Sequence, residues 1–156
     1  MEAIEEQLRT LEDLLVMEFR ACQALHALTR DERQALAAGH IDALMKLVDQ
    51  KEALIDEMGE LESRRRALVR ELNQACDLQP DSATLADLLA GLPENESRRL
   101  GRLGEGIITL LVDVRDMTYG NRAIATSALE RADDIQSFLL SLFQLQAERR
   151  GPDLVS

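Results

Sequence analysis

The apolar residues of this chain recur at helical spacing, and the clearest repeat lies in residues 41–72. One row repeats every seventh residue: Leu47, Leu54, Leu61 and Leu68. A second row, offset by four, reads Leu44, Lys51, Met58, Arg65 and Leu72. Two such rows predict one face of an amphipathic helix. At 1.5 Å per residue this helix is about 45 to 50 Å long, and it needs partner helices along its length.

The first part of the chain carries the same pattern. Its apolar residues alternate three and four apart: Ile4, Leu8, Leu11, Leu15, Cys22, Leu25 and Leu36. We expect this helix to end near Ala38, because Gly39 accepts the left-handed backbone that stops a helix. The connection to the next helix is therefore short. Two long helices joined in this way predict an antiparallel hairpin over residues 2–76.

The register of the hairpin is predicted from two cations in the apolar seam. Lys51 and Arg65 occupy positions where a buried charge needs a carboxylate partner. If the numbers of facing residues add to 83, Glu32 faces Lys51 and Glu18 faces Arg65, while the leucines still face one another. The pairs Glu18–Arg65 and Glu32–Lys51 are then predicted to set the register. The alternative is that each long side chain extends separately to water.

The rest of the chain predicts one short helix and one long helix. Four leucines on one face indicate a short helix over residues 83–90, which Gly91 and Pro93 end. A third long seam predicts a C-terminal helix over 96–148, which bends or protrudes beyond the hairpin. The sequence leaves open whether this helix is continuous; a break is favoured between Gly120 and Ser127, because Ser127 and Glu130 have capping-box spacing. The tail, 151–156, is expected to fray.

The fold class predicted is therefore all-α. We expect an elongated antiparallel helical hairpin plus a long C-terminal helix, which gives three long helices and one short helix in a bundle or coiled-coil-like arrangement. Residues 1–150 are predicted to form a single helical bundle domain. The low aromatic content of 3 % and the three prolines among 156 residues fit this class.

The charge and composition exclude several kinds of partner. A net charge of −11 argues against nucleic acid, because phosphate binding needs a contiguous basic surface. The acidic N-terminal stretch differs from a signal peptide, and no apolar run approaches membrane-spanning length, so we expect a cytoplasmic protein without membrane insertion. Cys22 and Cys76 are expected to be reduced, since the hairpin places them several turns apart.

No pattern in the sequence indicates catalysis. The two histidines, His26 and His40, lack a carboxylate or a second histidine at helix-ligand spacing, so neither a metal nor a cofactor is expected. Gly101, Gly104 and Gly106 follow no strand and lack the lysine of a phosphate loop, so they fit a loose first helical turn or a close approach of two helices better. We therefore expect a non-enzyme.

One segment carries more apolar surface than a flanking hairpin can cover. Residues 137–145 place apolar side chains around nearly the whole circumference of a helix: Phe138, Leu139, Leu140, Leu142, Phe143 and Leu145. The functional interpretation is a surface that binds the amphipathic helix of another protein, with Phe138, Leu139, Leu142, Phe143 and Leu145 as the client-binding residues. The alternatives are a cap over the bundle end and a homodimer contact.

The centre of the chain resembles the FlgN family of flagellar type III export chaperones. The family's turn motif is matched by Glu32, Ala35, Leu36, Gly39 and Leu44. The helix that follows is matched by Lys51, Glu52, Leu54, Leu61, Glu62 and Arg65, and the later Asn-rich helix by Asn121. His40 stands where the family usually has an acidic or amide residue.

The resemblance implies a small acidic cytoplasmic chaperone. Its clients would be the helical C-terminal segments of the flagellar hook–filament junction proteins, which it would keep unassembled for export, and the export gate is a candidate second partner. The alternative, from the residues alone, is a structural antiparallel coiled-coil adaptor or a self-assembling helical subunit.

Overall fold

A computed structural model describes residues 2–78 and 81–150; for residues 143 and 145–150 only the backbone is described. The described residues form four helices: α1 Glu2–Ala38, α2 Ile41–Ala75, α3 Leu85–Gly91 and α4 Glu94–Arg150. No strand occurs in these ranges. The predicted all-α fold, with two long helices packed together and a long C-terminal helix, is confirmed.

The turn between α1 and α2 is made by Gly39. Its φ of +71° is in the left-handed region, which costs glycine little and strains other residues. The Gly39 amide donates to the Leu36 carbonyl at 3.3 Å, and the His40 amide donates to the Ala35 carbonyl at 3.0 Å. These bonds satisfy carbonyls at the end of α1 and reverse the chain within two residues.

The two helices of the hairpin pack in the predicted register. Lys51 lies beside Glu32 and Arg65 beside Glu18, so the residue numbers add to 83 in both pairs. Leu11 and Leu15 pack in the same cluster as Leu68 and Leu72, as this register requires.

One end of the hairpin is closed by α3. Thr84 caps this helix by accepting from the Asp87 amide, and Leu88 is fully buried. We call the cluster that Leu88 joins the basal core; it draws one or more leucines or valines from each of the four helices and consists of Leu8, Leu11, Leu15, Val69, Leu72, Leu88 and Leu100.

The first part of α4, up to residue 118, runs parallel to α1. Arg99 lies 3.4 Å from Glu12, and Asp113 lies 3.8 Å from His26. Between them Phe19 packs on Gly106, where an added Cβ would be 2.8 Å from the ring. The residue numbers differ by 87 in all three pairs, so the helices keep one register over two heptads.

The described part of α4 is continuous, so the break that the sequence left open does not occur. The helix continues through residues 120–127, and the Ser127 carbonyl accepts from Arg131 Nε at 3.3 Å. A glycine inside a helix costs only about 1 kcal/mol relative to alanine, and the neighbouring alanines favour helix, so Gly120 does not end it.

The chain divides into two compact units, Met1–Thr118 and Tyr119–Ser156. The first holds the hairpin, α3 and the beginning of α4. The second is the remainder of α4 as far as the structure describes it. That residues 1–150 behave as one domain stays a prediction.

Candidate protein-binding surfaces

The second unit exposes the apolar segment that the sequence singled out. Phe138, Leu139, Leu140 and Leu142 are 63 %, 47 %, 56 % and 41 % exposed, and we call these four residues the terminal surface. At about 100° per residue they point in several directions around the helix, so no single flat contact covers all of them. The side chains of Phe143 and Leu145 lie outside the described residues.

The exposure extends beyond the terminal surface. Every side chain from residue 126 to residue 142 is exposed, including Leu129 at 67 % and Ile135 at 61 %. An isolated helix gains little stability from its own backbone, and most helices in proteins are stabilised by packing an apolar face. This part of α4 therefore exposes an apolar surface that the described residues leave uncovered.

The Glu18–Arg65 pair lies at the centre of the hairpin. Arg65 Nε donates to Glu18 Oε1 at 2.9 Å, with the side chains 21 % and 10 % exposed. Burial raises the pKa of the Glu18 carboxyl above its ordinary value, even though the hydrogen bond and charge of Arg65 lower it. The desolvation of the carboxylate therefore outweighs its pairing.

The second pair is also enclosed. Lys51 Nζ donates to both Glu32 carboxylate oxygens at 3.3 Å, and both side chains are 13 % exposed. Both pairs lie between α1 and α2. That they set the register stays a prediction.

The described ranges contain few clusters of metal-ligating side chains. No group of three or more histidine, cysteine or acidic residues there could hold a metal ion. His26 Nε2 lies 3.8 Å from Asp113 and joins α1 to α4 at the surface. The close approach of Phe19 to Gly106 agrees with the expectation that the glycines serve helix packing.

Sequence reasoning missed an apolar groove in the first unit. Its floor contains Cys22 and Leu25 of α1, which are 1 % and 5 % exposed. One wall is formed by Ile55 and Met58 of α2, and the other by Ile107 and Leu111 of α4. We call this space, of about 470 Å³, the central groove. A signal was present in the sequence, because α2 carries a second apolar row beside its seam.

The described helices include none long and apolar enough to cross a membrane. The described residues thus define the class of protein as all-helical, with an exposed apolar surface on its last helix.

Comparison with protein families assigns this class more closely. Residues 1–149 match the family described as FlgN protein, and the chain therefore belongs to the FlgN family of flagellar export chaperones. No curated protein and no solved structure matches the chain.

Proposed function

We propose that the protein is a cytoplasmic chaperone that binds the amphipathic helical C-terminal segments of flagellar hook–filament junction proteins and keeps them unassembled for type III export. The observation that carries this proposal is the exposed apolar surface of α4 between residues 129 and 142. The membership of the FlgN family supplies the flagellar context.

The chemistry of the terminal surface suits a helical client. An amphipathic client helix has one apolar stripe that must be kept from water and from other subunits until assembly. Aromatic and leucine side chains are effective anchors, and each central one is typically worth about 1 to 4 kcal/mol at an interface. Phe138, Leu139 and Leu142 offer such anchors, and Phe143 and Leu145 complete the set of client-binding residues that we propose.

The polar surroundings of this surface favour reversible binding. Residues 129–142 include the acidic Glu130, Asp133 and Asp134, which keep the free helix hydrated. The client and the chaperone must separate at export, and an interface with few anchors and a polar rim allows this more readily than a large apolar one. The export gate is proposed as a second partner.

The test is capture of a junction protein's C-terminal segment by purified chaperone. Phe138→Glu with Phe143→Glu places two charges in the proposed interface, and we expect it to abolish capture. The matched control is Met17→Glu with Val112→Glu, which adds the same charge at residues that are 43 % and 40 % exposed on the first unit. The control should capture as the parent does.

Circular dichroism separates the outcomes. A normal helical spectrum with lost capture supports the proposal, whereas retained capture places the site elsewhere. A collapsed helical signal would show that these side chains are core, and it would contradict the proposal. Light scattering tests the alternative function: a structural adaptor should self-associate through the terminal surface without a client, and a chaperone should be chiefly monomeric.

A further inference from the structure

Helix α2 is buried unevenly along its length. Its buried residues begin only at Leu61, and from residue 41 to residue 60 every side chain is exposed or half-buried. Leu61 packs against Leu14 and Ala21 of α1, and α3 covers the end of α2, where Leu88 packs with Val69 and Leu72 in the basal core. Over residues 41–60 the described structure has no element that corresponds to α3.

The central groove lies where such an element would pack. Cys22 and Leu25 are buried at its floor, while Ile55 and Leu111 on its walls remain 51 % and 39 % exposed. Glu18, Glu62 and Arg65 line the groove beside these apolar residues. The groove is thus mostly apolar, with charged side chains from α1 and α2 along part of its lining.

An exposed apolar row on α2 extends the groove toward the hairpin turn. It consists of Ile41, Met45, Val48 and Ile55, which are 69 %, 63 %, 39 % and 51 % exposed. Their spacing of four, three and seven residues places them on one face of the helix. From residue 41 to residue 59 this face is about 28 Å long at 1.5 Å per residue, which matches a partner helix of about five turns.

The charge beside this row indicates which helix fits. Residues 41–60 carry six acidic side chains and two lysines; the acidic residues are Asp42, Asp49, Glu52, Asp56, Glu57 and Glu60. One of the two lysines, Lys51, is already paired with Glu32 inside the hairpin. A helix that packs here with acidic flanks would be repelled, and one with basic flanks would be attracted.

This argument disfavours the apolar segment of the chain's own α4. Residues 129–142 carry three acidic side chains and one arginine. The same segment from a second copy has the same charge. Both would bring like charges to the acidic side of the groove.

We propose that the central groove and the α2 row bind an amphipathic helix of a client protein, about five turns long, whose apolar stripe is flanked by lysine or arginine. The proposal rests on the proposed function and adds to it a second helix-binding surface, separate in sequence from the terminal surface. The client would occupy along residues 41–59 the position that α3 occupies along the end of α2.

The test uses a designed peptide, so it does not depend on a natural client. The probe is a fluorescent helical peptide of about 18 residues with leucine on one face and lysine elsewhere. Two comparison peptides replace every lysine by glutamate, or every leucine by serine. Binding to the full-length protein is followed by fluorescence anisotropy at about 50 mM and about 300 mM salt.

The groove variant is Ile55→Ser with Leu111→Ser, and its matched control is Met17→Ser with Val112→Ser. We expect the Leu–Lys peptide to bind the parent, and the groove variant to bind it at least about tenfold more weakly. The control and the Phe138→Glu/Phe143→Glu variant should bind as the parent does. The glutamate and serine peptides should bind much more weakly, and added salt should weaken the Leu–Lys peptide.

Several results would overturn the proposal. Unchanged affinity of the groove variant would show that the peptide binds elsewhere, and loss only in the Phe138→Glu/Phe143→Glu variant would assign the peptide to the terminal surface. Equal binding of the glutamate peptide would refute the charge argument and favour the chain's own helix or a second copy. Equal binding of the serine peptide would show that charge attraction alone accounts for peptide binding, and it would contradict an apolar helix-binding groove.

A second measurement covers the case in which the groove variant is less stable. A photo-crosslinking amino acid at position 55 should capture the Leu–Lys peptide, and the same group at position 17 should not. Equal crosslinking at both positions contradicts a specific site. If the Leu–Lys peptide does not bind but the junction-protein segment is still captured, the groove proposal fails and the proposed function stands. If the segment is not captured but the peptide binds the groove, the proposed function fails and the groove proposal stands.

Discussion

Replacing Arg65 by alanine tests how the hairpin is held in register. In the parent, Arg65 Nε donates to Glu18 Oε1 at 2.9 Å, and Glu18 is mostly buried. Removal of the arginine leaves a carboxylate whose pKa burial already raises, now without its main stabilising partner. Breaking a fully buried pair costs about 3 to 5 kcal/mol, and an exposed pair less than about 1 kcal/mol.

The pair lies between these limits, because the Arg65 side chain is 21 % exposed and water reaches part of it. We therefore expect a loss of about 1 to 3 kcal/mol in the free energy of unfolding. For a chain of this size each kcal/mol corresponds to about 2 to 4 °C, so the melting temperature should fall by about 2 to 12 °C. The assay is thermal and urea unfolding followed by circular dichroism.

Two neighbours provide matched controls. Arg64 is exposed, and Arg66 is 59 % exposed and 4.0 Å from Glu62. Arg64→Ala and Arg66→Ala should each cost less than about 1 kcal/mol. Equal melting temperatures for all three alanine variants would refute the reasoning and show that Arg65 is a solvated charge.

A second substitution tests the cause. Adding Glu18→Gln to Arg65→Ala removes the stranded charge and should recover part of the lost stability. The sign of the pH dependence follows from the raised pKa of Glu18 in the folded protein. As the pH rises from the pKa of Glu18 in the unfolded chain toward its higher pKa in the folded protein, the folded protein loses stability, because the carboxyl ionises more readily when the chain is unfolded. Without Arg65 this cost grows, so the deficit of Arg65→Ala should be larger at about pH 7 than at about pH 5, and Glu18→Gln should remove the difference.

Three further predictions follow from particular contacts. Gly106→Ala should lower the melting temperature, because the added Cβ would lie 2.8 Å from the Phe19 ring. Gly59→Ala should raise stability by about 0.5 to 1 kcal/mol, because nothing lies within 4 Å of its added Cβ and alanine favours helix. Thermal unfolding that ranks the two variants the other way would contradict the packing of α4 on α1. Glu32→Lys and Lys51→Glu should each destabilise the hairpin and their combination should recover stability; a double variant no better than the worse single one would show that the pair does not act as a unit. Cys76 should react with a thiol reagent before Cys22, because Cys22 is buried and burial raises the pKa of its thiol; mass spectrometry that finds Cys22 labelled first would contradict this.

The hairpin was predictable because its seam contains misplaced charges. A purely apolar seam allows several registers of the two helices that differ by one turn. Lys51 and Arg65 face carboxylates in the register whose residue numbers add to 83, and they face apolar residues in a register one turn away. The short helix was predictable for a related reason, since four leucines on one face and Thr84 at its start leave little choice of structure.

The position of α4 beside α1 carried no comparable signal. The contacts Glu12–Arg99 and His26–Asp113 join partly exposed polar residues, which are common on helix surfaces and fit many arrangements. The sequence left open whether α4 is continuous near Ser127, because capping-box spacing occurs both at helix starts and inside continuous helices. The central groove escaped prediction because its row on α2 is interrupted by Glu52 and because its other wall comes from a helix distant in sequence.

The terminal surface was found from the sequence, since Phe138 and its neighbours place apolar side chains around nearly the whole circumference of the helix. Their exposure agrees with that interpretation as far as the side chains are described.

The most direct test of the proposed function is a methyl NMR titration of the full-length protein with the C-terminal segment of a hook–filament junction protein. The proposal predicts that the methyl signals of Leu129, Ile135, Leu139 and Leu142 shift in a saturable manner, while those of the basal core, such as Leu11 and Val69, stay in place. Absence of any shift, or shifts confined to the basal core, would contradict client binding by the exposed part of α4.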